Sequence, residues 1–246
     1  MTLDHLVYAT PDLDATVAEL ERLLGERAAV GGRHPGFGTR NRLIGLGGRS
    51  YLEVVGPDPE QEAPAGPRPF RIDELATAAL VGWAVTVEDI DPVVAQARAR
   101  GYDPGEPQDM SRRTPGGNLL AWRLTPPWRA GHGGLVPFLI DWGATRHPAE
   151  SELPSVELVS LTIAHPEVEA LRTDLEAVGV EAAPHPGTPP ASHGAQLPAP
   201  GTSGSASRLA RQPGERAGAG RPWLVREPEP RLIAVLSGRC GPVTLS

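Results

Sequence analysis

Two glycine-spaced runs hold the side chains best suited to chemistry. The first, Gly31–Asn41, has glycine at 31, 32, 36 and 38 among Arg33, His34, Thr39, Arg40 and Asn41. Glycine frees the backbone for close approach to a ligand, and the side chains between can donate or accept hydrogen bonds. The run is either a structured turn satisfying its own backbone or the mouth of a site lined by His34, Thr39 and Asn41. In the second case Arg40 or Arg42 would grip a carboxylate. The second run is Ser111-Arg112-Arg113-Thr114-Pro115-Gly116-Gly117, ahead of a strand carrying Trp122. Adjacent arginines there can send one guanidinium inward to an anion and the other to solvent. Trp83, Trp122, Phe138 and Trp142 supply either aromatic walls or core.

Composition narrows the chemistry. All 23 basic residues are arginine, so Schiff-base, pyridoxal-anchor and P-loop lysine mechanisms are excluded. Histidine, carboxylates and arginine remain. A net charge of -7 argues against a nucleic-acid binder held by a basic surface. Cys240 is the single cysteine, which excludes a disulfide framework, a thiolate zinc cluster and a CxxC pair. There is no G-x-S-x-G elbow, dinucleotide fingerprint or P-loop. His132, within Gly131–Gly134, reads as a surface histidine. The start, Met1-Thr2-Leu3-Asp4-His5, has no basic n-region, and no apolar run reaches about 18 residues, so a cytoplasmic protein with no membrane partner is expected.

The elements that must position these residues repeat. Leu3–Ala9 reads as a strand, Asp12 starts an amphipathic helix that Gly25 stops, and strands follow near Arg27–Val30, Arg42–Leu46 and Tyr51–Val55. The order recurs at an offset of 77 residues: strand Val81–Val87, helix from Asp89 to Arg100, closing strands Leu119–Leu124 and Val136–Trp142. A fainter third copy has strand Leu158–Ile163, helix Pro166–Val178, and terminal strands Arg231–Leu236 and Pro242–Leu245. Inside it, the 39 residues Pro184–Pro222 hold 8 prolines and 7 glycines, the composition of a flexible insertion or a mobile lid.

The pieces LDHLVYATPDLD (Leu3–Asp14), GGRHPGFGTRNRLIGLG (Gly31–Gly47), SYLEVVG (Ser50–Gly56), WAVTVEDID (Trp83–Asp91) and PFLIDWG (Pro137–Gly143) together resemble the vicinal oxygen chelate superfamily, in its glyoxalase-like branch. The resemblance implies an α+β fold: tandem β-α-β-β-β units forming a curved mixed sheet, an open barrel around a cup. It covers residues 1–145 as units 1–57 and 80–145, with a third, degenerate unit at 156–246 carrying the insertion 184–222. It also implies a divalent metal (Zn, Fe, Mn or Ni) held by one side chain from the first and last strand of each unit. Those positions are His5 and Glu53 in the first unit, but Gly82 and Ile140 in the second, with Ser160 in the third. Asp141, His34 or His132 could add a third ligand. Half a metal site leads to the expectation that no metal binds tightly. His5 and Glu53 would then be a hydrogen-bonded pair or an acid–base pair in which the carboxylate orients the imidazole.

The expected protein acts on, or binds, a small polar and anionic metabolite in the cup. As an enzyme it would be a lyase or isomerase with His5 and Glu53 catalytic and His34, Thr39, Arg40, Asn41, Arg112, Arg113 and Trp122 holding the ligand. The alternative is a metal-free, drug-sequestering binding protein without catalysis. A homodimer remains open.

Overall fold

A computed structural model describes residues 1–113, 116–117, 119–185 and 221–246, Arg113 by its backbone alone. The expected insertion 184–222 lies outside the described residues over 186–220, as does the side chain of Arg113.

The first unit is β1 (Thr2–Ala9), α1 (Leu13–Leu24), β2 (Ala29–His34), β3 (Thr39–Gly45) and β4 (Tyr51–Pro57). The second is β5 (Ala79–Thr86), α2 (Ile90–Ala99), β6 (Gln108–Arg113), β7 (Leu119–Leu124), a helical turn α3 (Gly131–Gly134) and β8 (Phe138–Asp141). Both long helices begin on an aspartate: Asp12 accepts from the N–H of Ala15, and Asp89 from that of Asp91. These caps are 77 residues apart, which fixes the correspondence of the two units.

All eight strands form one sheet in the order β2-β3-β4-β1-β5-β8-β7-β6. At its centre β1 and β5 run antiparallel, pairing His5 with Ala84 and Val7 with Gly82. With the 77-residue offset this pairing is two-fold symmetric. The sheet curls until its edges meet, and a side chain bridges them: Arg112 on β6 donates from Nη1 to the carbonyl of Gly31 on β2 at 2.7 Å.

The glycine-spaced runs Gly31–Asn41 and Ser111–Gly117, read from sequence as a turn or site mouth and as the approach to a strand, themselves contain strand. β2 and β3 form a hairpin through the first, with His34 opposite Thr39, and β6 runs into the second as far as Arg113. Glycine and arginine carry little strand propensity, and here pairing to a neighbour overrides it.

The remaining chain forms β9 (Glu157–His165), α4 (Val168–Ala177), β10 (Ala183–Pro184), β11 (Trp223–Arg226), β12 (Arg231–Gly238) and β13 (Gly241–Leu245) in a second sheet, ordered β10-β11-β9-β12-β13. Here the expected strand roles need correcting. β11 runs parallel to β9 as β4 does to β1, so β11 is the closing strand. β12 runs antiparallel to β9, as β5 does to β1, and so takes the place of a following unit's first strand. This sheet covers the outside of the barrel. One apolar cluster unites Leu20 and Leu24 of α1, Val94 of α2, Leu171 and Leu175 of α4, and Leu232 and Leu236 of β12. A separate cluster, with Val7, Ala84, Phe138 and Ile140, faces the cup. Among the described residues no helix is long and apolar enough to cross a membrane.

Candidate functional site

The floor of the cup is set by an irregularity in β1. Leu3 pairs with Val85 and His5 with Ala84, so Asp4 is an extra residue in the ladder. Such a bulge re-aims side chains, and it turns Asp4 towards the second unit. Asp4 is fully buried and its carboxylate has four partners. Oδ1 accepts from Nδ1 of His5 at 2.6 Å. Oδ2 accepts from Oγ1 of Thr86 at 2.6 Å, Nε1 of Trp142 at 2.8 Å and Nε2 of His147 at 3.0 Å. The Nδ1 of His147 accepts from the N–H of Ala149, which leaves its Nε2 as the proton-bearing atom. Burial alone would push the Asp4 carboxyl up. The bonds from His147 and His5 outweigh it and hold the carboxyl well below its usual range.

With Nδ1 committed to Asp4, His5 presents Nε2 to the cup, 3.7 Å from Oε2 of Glu53. Its ring stacks on Tyr51 at 4.9 Å and meets the edge of Phe138 at 5.4 Å. Burial favours neutral imidazole here, but the hydrogen bond to Asp4 and the charges of Asp4 and Glu53 prevail, so its pKa rises above 6.5.

Glu53 is fixed from the other side. Asn41 donates from Nδ2 to Oε1 at 2.5 Å, while its Oδ1 accepts from the N–H of Gly32 at 2.8 Å. His34 lies 3.8 Å from the same carboxylate and bonds Thr39 Oγ1 through Nδ1 at 3.0 Å. Burial lowers the pKa of His34, and the nearby guanidinium of Arg112 lowers it further against the pull of Glu53. Two glycines make room for this network. A Cβ at Gly31 would stand 2.0 Å from Asn41 Oδ1, and one at Gly32 2.5 Å from Arg112 Nη1.

Of the residues expected from sequence, His5, Glu53, His34, Thr39, Asn41, Arg112 and Trp122 all line one cup of about 750 Å3, its open mouth included. Arg40 does not. Strand alternation turns it to the opposite face from Thr39 and Asn41, where it donates to Asp14 at 2.8 Å. Trp83 is core, its Nε1 donating to the carbonyl of Leu135. His132 is half-buried and bonded to His165 and Asp174, away from the cup lining.

Sequence reasoning missed Asp4 and His147. In a regular strand Asp4 would face away from His5, and His147 is 143 positions from Asp4. Of the four aromatics offered as walls or core, Trp122, Phe138 and Trp142 line the cup, and Phe37, Tyr51, Phe70 and Trp128 join them unforeseen. The chain has five Trp, three Tyr and three Phe, so seven of these eleven line the cup.

The ladders also correct the position assigned to the fourth metal ligand. Val7 pairs with Glu53 on β4, and Ala84, the counterpart of Val7, pairs with Phe138 on β8. The counterpart of Glu53 is therefore Phe138, with Ile140 matching Val55. The four family positions thus hold His5, Glu53, glycine and phenylalanine. Among the described residues no group of three His, Cys, Asp or Glu side chains is arranged to hold an ion. Arg112 brings a positive charge close to His34 and Tyr51. This donor set does not fit a divalent metal of the chelate type.

No curated protein matches the chain. Among solved structures, a hypothetical protein from Staphylococcus aureus is similar at 15% identity and a TM-score of 0.52, over 72% of this chain and 74% of that one. A methylmalonyl-CoA epimerase from Mycobacterium tuberculosis is similar at 18% identity and a TM-score of 0.41, over 61% and 92%. A variant of the Streptomyces coelicolor methylmalonyl-CoA epimerase, in complex with 2-nitronate-propionyl-CoA, is similar at 23% identity and a TM-score of 0.41, over 59% and 97%. The model of the glyoxalase-like domain matches residues 3–179, and the chain belongs to that family.

Proposed function

We propose that the cup binds a small organic anion and moves a proton on it without a metal, in a reaction of the isomerase or lyase type. The observation that supports this reading is the Asp4–His5–Glu53 line: an imidazole fixed at Nδ1 by a buried carboxylate, its Nε2 facing a second carboxylate across 3.7 Å. Side by side, the two groups can address neighbouring atoms of one ligand, Nε2 an oxygen and the carboxylate the carbon next to it.

The roles follow from the geometry. His5, in the protonated form that the hydrogen bond to Asp4 and the charges of Asp4 and Glu53 favour, donates from Nε2 to a carbonyl oxygen of the ligand. The free Oε2 of Glu53 takes the proton from the adjacent carbon, giving the enol. Return of a proton to the other face of the same carbon, with the enol hydroxyl giving its proton back to His5, completes an epimerisation with no change of oxidation state. Asn41 holds Oε1 and keeps the carboxylate aimed. Arg112 balances the charge of an anionic substituent. We extend the reading to a cytoplasmic protein, monomeric or homodimeric, in which each chain has a complete cup.

A second reading, sequestration without turnover, is favoured by the aromatic lining, which suits tight retention. Deuterium incorporation from D2O into pyruvate and phenylpyruvate separates the two. Proton transfer predicts exchange above the uncatalysed rate, lost in both His5→Gln and Glu53→Gln. Ligand-induced thermal stabilisation with background exchange would leave sequestration standing alone.

A further inference from the structure

Most hydrogen-bonding groups in the cup are already committed to one another. Asn41 uses both ends, Thr39 bonds His34, and His5 Nδ1 bonds Asp4. Three donors are not. The Arg112 side chain is buried, spends Nη1 on the carbonyl of Gly31, and makes no ion pair among the described residues. The Tyr51 hydroxyl makes no hydrogen bond among the described residues, although the side chain is only 5% exposed. Burial, with Asp4 and Glu53 nearby, pushes its pKa well above 10, so it remains a donor at any physiological pH. The Nε1 of Trp122 is buried without a partner.

Buried donors are ordinarily satisfied, and a buried guanidinium without a counter-charge is costly. Three unspent donors in one cavity call for an acceptor-rich, negatively charged group from outside the chain. A carboxylate fits, since its two oxygens offer about four acceptor sites and match a guanidinium edge.

The rest of the lining is of the opposite kind. In the second unit the position matching Glu53 is Phe138, and the position matching His5 is Gly82, where a Cβ would meet nothing within 4 Å. Trp122 and Trp142 lie with ring centres 5.3 Å apart. Phe70 stands 6.4 Å from Phe138. Trp128, at the mouth, is exposed to 56%. The two units have therefore diverged: the first lines the cup with His5, His34, Asn41 and Glu53, whereas the second, apart from Arg112, supplies apolar and flat surfaces that favour stacking.

We propose that the ligand is a planar aromatic carboxylate, its carboxylate received by Arg112, Tyr51 and Trp122 and its ring lodged against the aromatic wall of the second unit. The proposal rests on the reading of the cup as an anion-binding site and names the class of anion.

Calorimetry and tryptophan quenching on the full chain test it, with 2-naphthoate, uncharged 2-naphthamide and acetate as probes. 2-Naphthoate is expected to bind and to quench. The amide is expected to bind at least about tenfold more weakly for want of the charge, and acetate more weakly still for want of the ring. Tyr51→Phe removes one donor and keeps its ring, so it weakens 2-naphthoate several-fold with an unchanged unfolding midpoint; Trp122→Phe removes another donor and also shortens the aromatic wall, so it weakens 2-naphthoate several-fold or more. Arg112→Met weakens 2-naphthoate by about tenfold or more; because Arg112 also closes the barrel, Tyr51→Phe and Trp122→Phe decide the matter if Arg112→Met unfolds. Equal binding of the amide, equal binding of acetate, no detectable binding of 2-naphthoate, or unchanged affinity in both Tyr51→Phe and Trp122→Phe would each overturn the proposal. Exchange of pyruvate protons without binding of 2-naphthoate removes the aromatic class and leaves proton transfer intact. Binding of 2-naphthoate without exchange on either keto acid does the reverse.

Discussion

Asp4 and His5 are adjacent in the chain and are also partners across a bulge, with Nδ1 of the imidazole 2.6 Å from Oδ1 of the carboxylate. In a regular strand the two would face opposite sides of the sheet. The extra residue in β1 lets one carboxylate fix the imidazole at the floor of the cup and also tie it to Thr86, Trp142 and His147 of the second half of the barrel. Replacing Asp4 by Asn keeps the shape and removes the charge, leaving donors unpaired in a buried site. The expected cost is about 3 kcal/mol, read by urea unfolding at pH 7, and a loss below about 1 kcal/mol would count against the network.

The two members of the pair set opposite limbs of the pH–stability profile. The Asp4 carboxyl is held below its ordinary 3.8, so its contribution is present above that value and is lost as the pH falls through and beneath it. The pKa of His5 is raised above 6.5, so its contribution is complete below 6.5 and is lost as the pH climbs through the raised value. The difference in unfolding free energy between the wild type and His5→Gln should therefore be greatest near pH 5–6 and shrink towards alkaline pH. A difference that grows above pH 7 would reverse the sign assigned to His5.

The donor set predicts metal content directly. Two family ligand positions hold Gly82 and Phe138, and Phe138 packs edge-on against His5. Elemental analysis of purified protein should give well under one tightly bound divalent ion per chain. A stoichiometric ion that disappears in His5→Ala would show that the cup recruits ligands beyond His5 and Glu53.

The tight hairpin under Glu53 depends on glycine for space. At Gly31 a Cβ would fall 2.0 Å from Asn41 Oδ1, and Asn41 cannot retreat without releasing Glu53. Gly31→Ala should destabilise the chain by about 1–3 kcal/mol and impair deuterium exchange on the bound ligand through Glu53; because the carbonyl of Gly31 also holds Arg112, ligand affinity should fall with it. Wild-type exchange in Gly31→Ala would separate the aim of Glu53 from the chemistry.

Much of this was legible in the sequence, for physical reasons that differ by element. Asp12 and Asp89 announce helices because capping is local, reading as few as two residues ahead. The 77-residue offset between them exposes the repeat. Arg112 and Trp122 were found because a basic pair and an aromatic stood beside a strand. What was not legible is long-range or register-dependent. The bulge at Asp4 exists through pairing with β5. The match of Glu53 to Phe138 is set by the β5–β8 ladder, two residues away from the position that counting back from Gly143 gives. β11 was missed because four residues beside a Pro/Gly-rich run carry no pattern of their own.

A last contact joins the cup's rim to the sheet that covers the barrel, and its proton positions can be worked out. The N–H of Glu167 donates to Nδ1 of His165 at 3.0 Å, so that nitrogen carries no proton and Nε2 does. The Nε2 of His165 meets Nδ1 of His132 at 3.2 Å, which must accept, leaving Nε2 of His132 to donate to Asp174 at 2.9 Å. The chain of bonds thus runs one way, from the backbone of the outer sheet's helix through two imidazoles to Asp174 of α4. His132 meets it from the turn after Pro127 and Trp128, which line the cup's mouth, and holds a left-handed φ of 53° to do so. A non-glycine residue in that region is retained when its surroundings over-determine it. Replacing His132 by Ala removes both bonds and the reason for that backbone. Glycine at the same position tolerates the φ without making the bonds, so the pair separates strain from bonding. Hydrogen exchange should quicken in residues 127–136 and at α4 in both variants, and more in His132→Ala. Unchanged protection in both variants would show that the rim is held by its packing alone, through Leu135 and Val136 of the shared core.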